Sequence, residues 1–126
     1  MWDTYIPTPL SEIIIYHNPR CGKSRAALEI LKETGLPFKT RLYLSDPLTK
    51  SELKALLKKL GLKAAELIRT NEDLYKKEYK DKDISETGWI TILSENPILI
   101  ERPIVEKGNI AIVCRPPEKV MELLKD

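Results

Sequence analysis

Cys21 lies in the stretch "YHNPRCGKSR", residues 16–25, with His17 four positions before it and Arg20, Lys23 and Arg25 on either side. A thiol with an ordinary pKa of about 8.5 is a weak nucleophile at neutral pH, and the thiolate is the reactive form. The stretch follows the apolar run "III" and precedes the helical pattern "AALEILKETG". The sulfur therefore falls in a strand-to-helix turn, facing the unpaired amides and positive end of a helix. His17, Lys23 and Arg25 are the candidate thiolate-activating residues, His17 through a positive charge or a hydrogen bond. The plainer alternative is a half-buried, inert thiol beside ordinary surface charges. Ser24 stands at the second position of a would-be C-x-x-C pair, so Cys21 lacks the partner of a dithiol oxidoreductase. The second cysteine, Cys114, ends the apolar run "IAIVC" and reads as a buried structural thiol, with a resolving role as the alternative.

The elements that must position these residues can be traced along the chain. Residues 1–12, with two prolines and mixed polarity, read as an N-terminal extension, and residues 13–126 as one domain. A strand is expected at Ile13 to Tyr16, stopped by Pro19. Ala27, Leu28 and Leu31 share one face of a helix ending at Gly35. "FKTRLYL" alternates Phe38, Thr40 and Leu42 against Lys39 and Arg41, the period of a strand. Thr49 and Glu52 have capping-box spacing before the stripe Leu53, Leu56, Leu57 and Leu60, and Gly61 marks the stop. Short helical patterns follow at Ala65 to Arg69, Asp73 to Tyr79 and Glu86 to Glu95, the last made ambiguous by the β-branched Ile90, Thr91 and Ile92. "PIVEKGNIAIVC" predicts a hairpin turning at Lys107, Gly108 and Asn109. Pro116 and Pro117 introduce a last helix carrying Val120, Met121 and Leu124. The order β-α-β, helical segment, hairpin and helix predicts an α/β fold: a thioredoxin-like, four-stranded mixed sheet flanked by helices, with an inserted helical segment at about 47–97.

Composition narrows the function classes. The 126 residues carry 21 basic and 19 acidic side chains, a formal net charge of +2, which gives no general reason to expect nucleic acid or an anionic membrane. No apolar run approaches the roughly 18 residues of a membrane span and no signal-peptide core is present, so a cytoplasmic protein is expected. Two cysteines far apart and one histidine are too few for a tetrahedral metal site, and no metal is expected. Trp2 and Trp89 read as packing residues. The lysines among residues 50–63 read as a solvated helix face.

The segment "YHNPRCGKSR", with His17, Cys21 and Arg25 in an H-x3-C-x3-R arrangement, resembles the active-site segment of the glutaredoxin-coupled arsenate reductases. "NPILIERPIV" and "CRPPEKVMELL" resemble later signatures of that family, and the likeness runs from Ile13 to Leu124. The resemblance implies a thioredoxin-like fold with Cys21 as nucleophile. It also implies Arg69, Arg102 and Arg115 as oxyanion ligands, and Pro103 as a cis-proline beside the catalytic cysteine. Guanidinium forks suit the oxygens of arsenate and the charge that develops on attack. Judged without the resemblance, Arg69 would be a helix-end residue and Arg115 a strand-end cap. Glu101 places an acid next to Arg102.

The resemblance further implies arsenate reduced to arsenite through a thiolate–arsenic intermediate. Glutathione would be the co-substrate and glutaredoxin the partner, with no tightly bound cofactor and a monomeric chain. Alternatives are a related thiol oxidoreductase acting on another oxyanion or a glutathionylated substrate, and a non-enzymatic regulator of the Spx type that binds RNA polymerase. "CGKS" is also similar to the C-G-x-S of monothiol glutaredoxins, but the later segments are not. A low-molecular-weight phosphatase would separate cysteine and arginine by five residues, and position 27 is Ala.

Overall fold

The computed structural model describes residues 12–124; the expected extension, including Trp2, lies almost wholly outside them. Four strands form one sheet in the order β2-β1-β3-β4. They are β1 (Ile13–Tyr16), β2 (Lys39–Arg41), β3 (Ile104–Lys107) and β4 (Ile110–Val113). β1 runs parallel to β2 and antiparallel to β3, and β3 pairs antiparallel with β4. This is the mixed sheet expected of a thioredoxin-like domain.

Side chains alternate across the sheet and build a core on each face. Ile13 and Ile15 of β1 and Val105 of β3 pack with Ala27 and Leu31 of α1 (Gly22–Thr34), and with Val120 and Leu123 of α5 (Val120–Leu124). On the opposite face Tyr16 and Ile104 join Leu53, Leu56 and Leu57 of α2 (Lys50–Leu60) and Trp89, Ile90 and Leu93 of α4 (Glu86–Glu95). Between these two helices lie a 3-10 turn, Ala64–Leu67, and the short α3 (Asp73–Glu78). Trp89 packs in this second core, stacked on Tyr75 and edge-on to Tyr79.

Helix ends follow their local chemistry. α1 ends at Gly35 and α2 at Gly61, each left-handed with φ of 73° and 69°. Thr49 and Glu52 form the expected reciprocal capping box at the start of α2. Gly108, at φ 61°, is the first of two residues that turn the β3–β4 hairpin. The β-branched run at 90–92 is helical because Ile90 is buried in the α2–α4 packing.

Two expectations from spacing are corrected. β2 is only three residues long and lies at the sheet edge, so Thr40 and Leu42 are exposed and the buried residue of that stretch is Tyr43. In α5 the inward pair is Val120 and Leu123, and Met121 faces out, because the 3-10 turn Pro117–Lys119 that leads into the helix sets its phase.

Candidate active site

Sheet register brings distant residues to one end of the molecule. Tyr16 pairs with Ile104 and Ile104 with Val113, so the loop after β1, the segment before β3 and the segment after β4 emerge side by side. These carry Cys21, Arg102 and Arg115. Ile68 bridges to Ile100, the Arg69 amide donates to the Leu99 carbonyl at 2.7 Å and the Glu101 amide to the Leu67 carbonyl at 2.8 Å. Arg69 is thereby laid beside Glu101 and Arg102.

Cys21 is the residue before the first turn of α1, with extended backbone. Its amide donates to the Asn18 carbonyl at 3.0 Å, and its carbonyl accepts from the Arg25 amide at 2.9 Å. The turn points the sulfur at the open amides of the helix. Burial disfavours the thiolate, but the Ser24 amide, the Arg102 guanidinium and the Lys23 amide together outweigh it and hold the thiol below its ordinary range. Lys23 thus acts through its backbone. The Arg25 side chain donates to the Pro19 carbonyl at 2.8 Å and braces the turn. His17 is buried, and burial first, then Arg25 and Lys32, lower its pKa, which keeps the ring neutral at pH 7. Its Nδ1 lies 2.6 Å from Ser24 Oγ, which also accepts from the Asn18 amide at 3.0 Å. The histidine therefore ties the loop to the helix through the residue that replaces a second cysteine.

The three arginines form one cluster threaded by two glutamates. Arg69 Nη1 pairs closely with Glu72, and its Nε lies 3.7 Å from Glu101 Oε1. Arg102 Nη1 is 4.0 Å from Glu72, and Arg115 Nη1 is 3.7 Å from the same Glu101 oxygen. Arg115 also donates to the Arg102 carbonyl at 3.1 Å, which locks the two arms together. Arg102 Nε and Nη1 are buried without a hydrogen-bond partner. Buried polar groups are nearly always satisfied, so guanidinium donors left without a partner beside a thiol are chemically able to take the oxygens of an anion. The Arg102–Pro103 peptide is cis, as the resemblance implies, and Arg115–Pro116 is cis as well.

Sequence reasoning overlooked Tyr43 and Glu72. Tyr43 is 1% exposed, and its hydroxyl has no hydrogen-bond partner, Asn18 lying alongside but outside bonding geometry. Burial pushes its pKa up to about 12, so it remains a donor, within electrostatic reach of Arg102, Cys21 and Arg69. The signal was a phenol in an edge-strand stretch whose alternation put Leu42 inward. Glu72 follows Arg69 by three residues, an ordinary local pair whose reach to Arg102 depends on the fold. An open groove beside the turn is lined by His17, Pro19, Arg20, Leu44 and Arg102, with Leu42 and Ile98 exposed on its rim.

Comparison with known proteins identifies the family. The family profile described as ArsC matches residues 16–123, the span that carries Cys21 and all three arginines. The chain belongs to the ArsC family. It is 46% identical over 115 residues to an uncharacterised Escherichia coli protein, YfgD, covering 90% of this chain and 97% of that one. It is 42% identical over 114 residues to an arsenate reductase of Haemophilus influenzae, covering 89% and 98%. Among solved structures, an arsenate reductase from Vibrio cholerae superposes with a TM-score of 0.84 at 38% identity, over 89% of this chain and 97% of that one. Both coverages are near complete, so the likeness includes the helical segment between β2 and β3. Among the described residues no helix is long and apolar enough to cross a membrane.

Proposed function

We propose that this ArsC-family chain reduces arsenate to arsenite with thiol electrons. The observation that carries the proposal is Arg102: it has unsatisfied buried donors, favours the Cys21 anion, and shares one cluster with Arg69 and Arg115. The Cys21 thiolate attacks arsenic, forming a sulfur–arsenic bond as water or hydroxide leaves. Arsenic remains pentavalent in this step. Arg69, Arg102 and Arg115 hold the oxygens and take up the charge of the crowded intermediate, and the Tyr43 hydroxyl donates to one of them.

The reducing electrons come from outside the chain, because Ser24 leaves Cys21 without an adjacent thiol. Glutathione displaces a second hydroxide from arsenic. A glutaredoxin thiolate then attacks the glutathione sulfur, forming a mixed disulfide, and the electron pair of the sulfur–arsenic bond stays on arsenic as it becomes trivalent. Hydrolysis of the remaining Cys21–arsenic bond releases arsenite and restores the thiolate. The groove beside the turn, with Arg20 and Arg102 on a partly apolar floor, offers glutathione a cationic, open approach to the sulfur.

A pair of rates tests the oxyanion role. Arg102→Lys keeps a charge but loses the planar fork, so arsenate turnover should fall about a hundredfold while alkylation by neutral iodoacetamide falls no more than about tenfold. Tyr43→Phe should show the same split at smaller size. Equal losses in both assays would make the arginine a tuner of the thiol alone, and the favoured reading would become exchange with a glutathionylated substrate.

A further inference from the structure

Glu101 is an acid inside a cationic cluster, which is costly for a site that must hold an anion. Its Oε1 is buried and accepts no hydrogen bond, since Arg69 Nε and Arg115 Nη1 both stand 3.7 Å away, beyond bonding distance. Glu72 differs: it is closely paired with Arg69 and serves as that arginine's counterion. The two carboxylates offset two of the three guanidinium charges, and the Cys21 thiolate offsets the third. A fully deprotonated oxyanion held by Arg69 and Arg115 would bring a second acceptor to the Glu101 oxygen that lies 3.7 Å from both and accepts no hydrogen bond. An oxyanion that keeps a hydroxyl would instead donate that proton to Glu101 and bind the arginines with its other oxygens.

We propose that Glu101 is a specificity-determining residue that accepts a hydrogen bond from the hydroxyl of a protonated oxyanion and thereby excludes oxyanions without one. Resting on the oxyanion reading above, this names the substrate class: hydrogenarsenate and its relatives, with sulfate and selenate rejected. The discrimination arises because a wrong ligand leaves the buried Glu101 Oε1 without a hydrogen bond and sets it against a second anion, which costs more than the right ligand's hydrogen bond contributes.

The test compares two anions of similar size and charge in mildly alkaline buffer, where hydrogenphosphate and sulfate are both dianions and differ chiefly by one hydroxyl. Each is titrated for protection of Cys21 against iodoacetamide, which requires occupancy of the site but no reduction. In the parent chain hydrogenphosphate should protect at a concentration about tenfold or more below sulfate, as expected for one hydrogen bond to a charged group. In Glu101→Gln, whose amide can donate to a sulfate oxygen, the ratio should fall to within about threefold, and Glu101→Asn serves as a second variant. Glu72→Gln should strengthen protection by both anions and preserve the ratio. Equal protection in the parent overturns the proposal whatever the variants do, as does a ratio that survives in Glu101→Gln or collapses equally in Glu72→Gln. Arsenate turnover is assayed separately: a parent that discriminates between the anions yet forms no arsenite contradicts the reduction and leaves the role of Glu101 intact, whereas turnover without discrimination does the reverse.

Discussion

At the scale of single residues, the activity of Cys21 depends on groups that sequence neighbours only partly supply. Its anion is opposed by burial and favoured by the Ser24 amide, Arg102 and the Lys23 amide, so the folded thiol titrates below an ordinary one. Because the thiolate is the reactive form, a lowered pKa extends reactivity to lower pH. The rate of iodoacetamide alkylation should rise along a single titration with its midpoint below about 8.5. In Arg102→Ala the midpoint should move up, and a parent midpoint at or above the ordinary value would remove the activation argument. Cys21, its helix end and the loss of a C-x-x-C partner were legible in the ten residues around it. Arg102 and Tyr43 reach it through space, and Glu72 stands behind them as the counterion of Arg69 that also faces Arg102. Nothing in their local spacing says so, and only the family resemblance pointed to Arg102 in advance.

At the scale of elements, the legible features were those written in adjacent residues. The box of Thr49 and Glu52, the stop at Gly61 and the hairpin turn at Gly108 each follow from a few contiguous side chains, and each is present. Short β2 and the phase of α5 were not legible, because edge position and a leading 3-10 turn are settled by packing and not by period. The α2 cap also joins the helix to the sheet edge: Glu52 accepts from Arg41 at 2.7 and 3.0 Å, as well as from the Thr49 amide at 2.9 Å. Thr49→Ala should cost about 1 kcal/mol in urea unfolding with an unchanged slope. The Arg41 bond and then the Thr49 backbone bond hold the Glu52 carboxyl down at about 2, so its contribution is complete above the ordinary carboxylate range and is lost as pH falls toward 2. Glu52→Gln should therefore flatten the acid side of the stability profile while also lowering stability at neutral pH. A steep acid limb that persists unchanged in the variant would assign the effect to other carboxylates.

At the scale of the whole molecule, the sheet separates the two thiols by environment. Cys114 belongs to the core formed with α1 and α5, is fully buried, and burial pushes its pKa up to about 12. The native protein should show one fast thiol, with the second reacting only on unfolding, and Cys114→Ala should retain turnover, since in the proposed reaction the resolving sulfur is that of external glutathione. Near-complete loss in a folded Cys114→Ala protein, with a Cys21–Cys114 disulfide trapped in the parent, would contradict that division. The sheet also sets segments from far along the chain beside one short loop: the pairings Tyr16 with Ile104 and Ile104 with Val113 align the segments that carry Cys21, Arg102 and Arg115, and the Ile68–Ile100 bridge lays Arg69 next to Arg102. Transfer of thiol electrons to arsenate through Cys21 is the reaction proposed for this assembled end of the molecule. Its most direct test is the release of arsenite from arsenate by the purified chain with glutathione and glutaredoxin, measured beside Cys21→Ser. The parent should turn over and the variant should not rise above background; a folded parent that forms no arsenite, or a Cys21→Ser protein that forms it at the parent's rate, would overturn the proposed reaction.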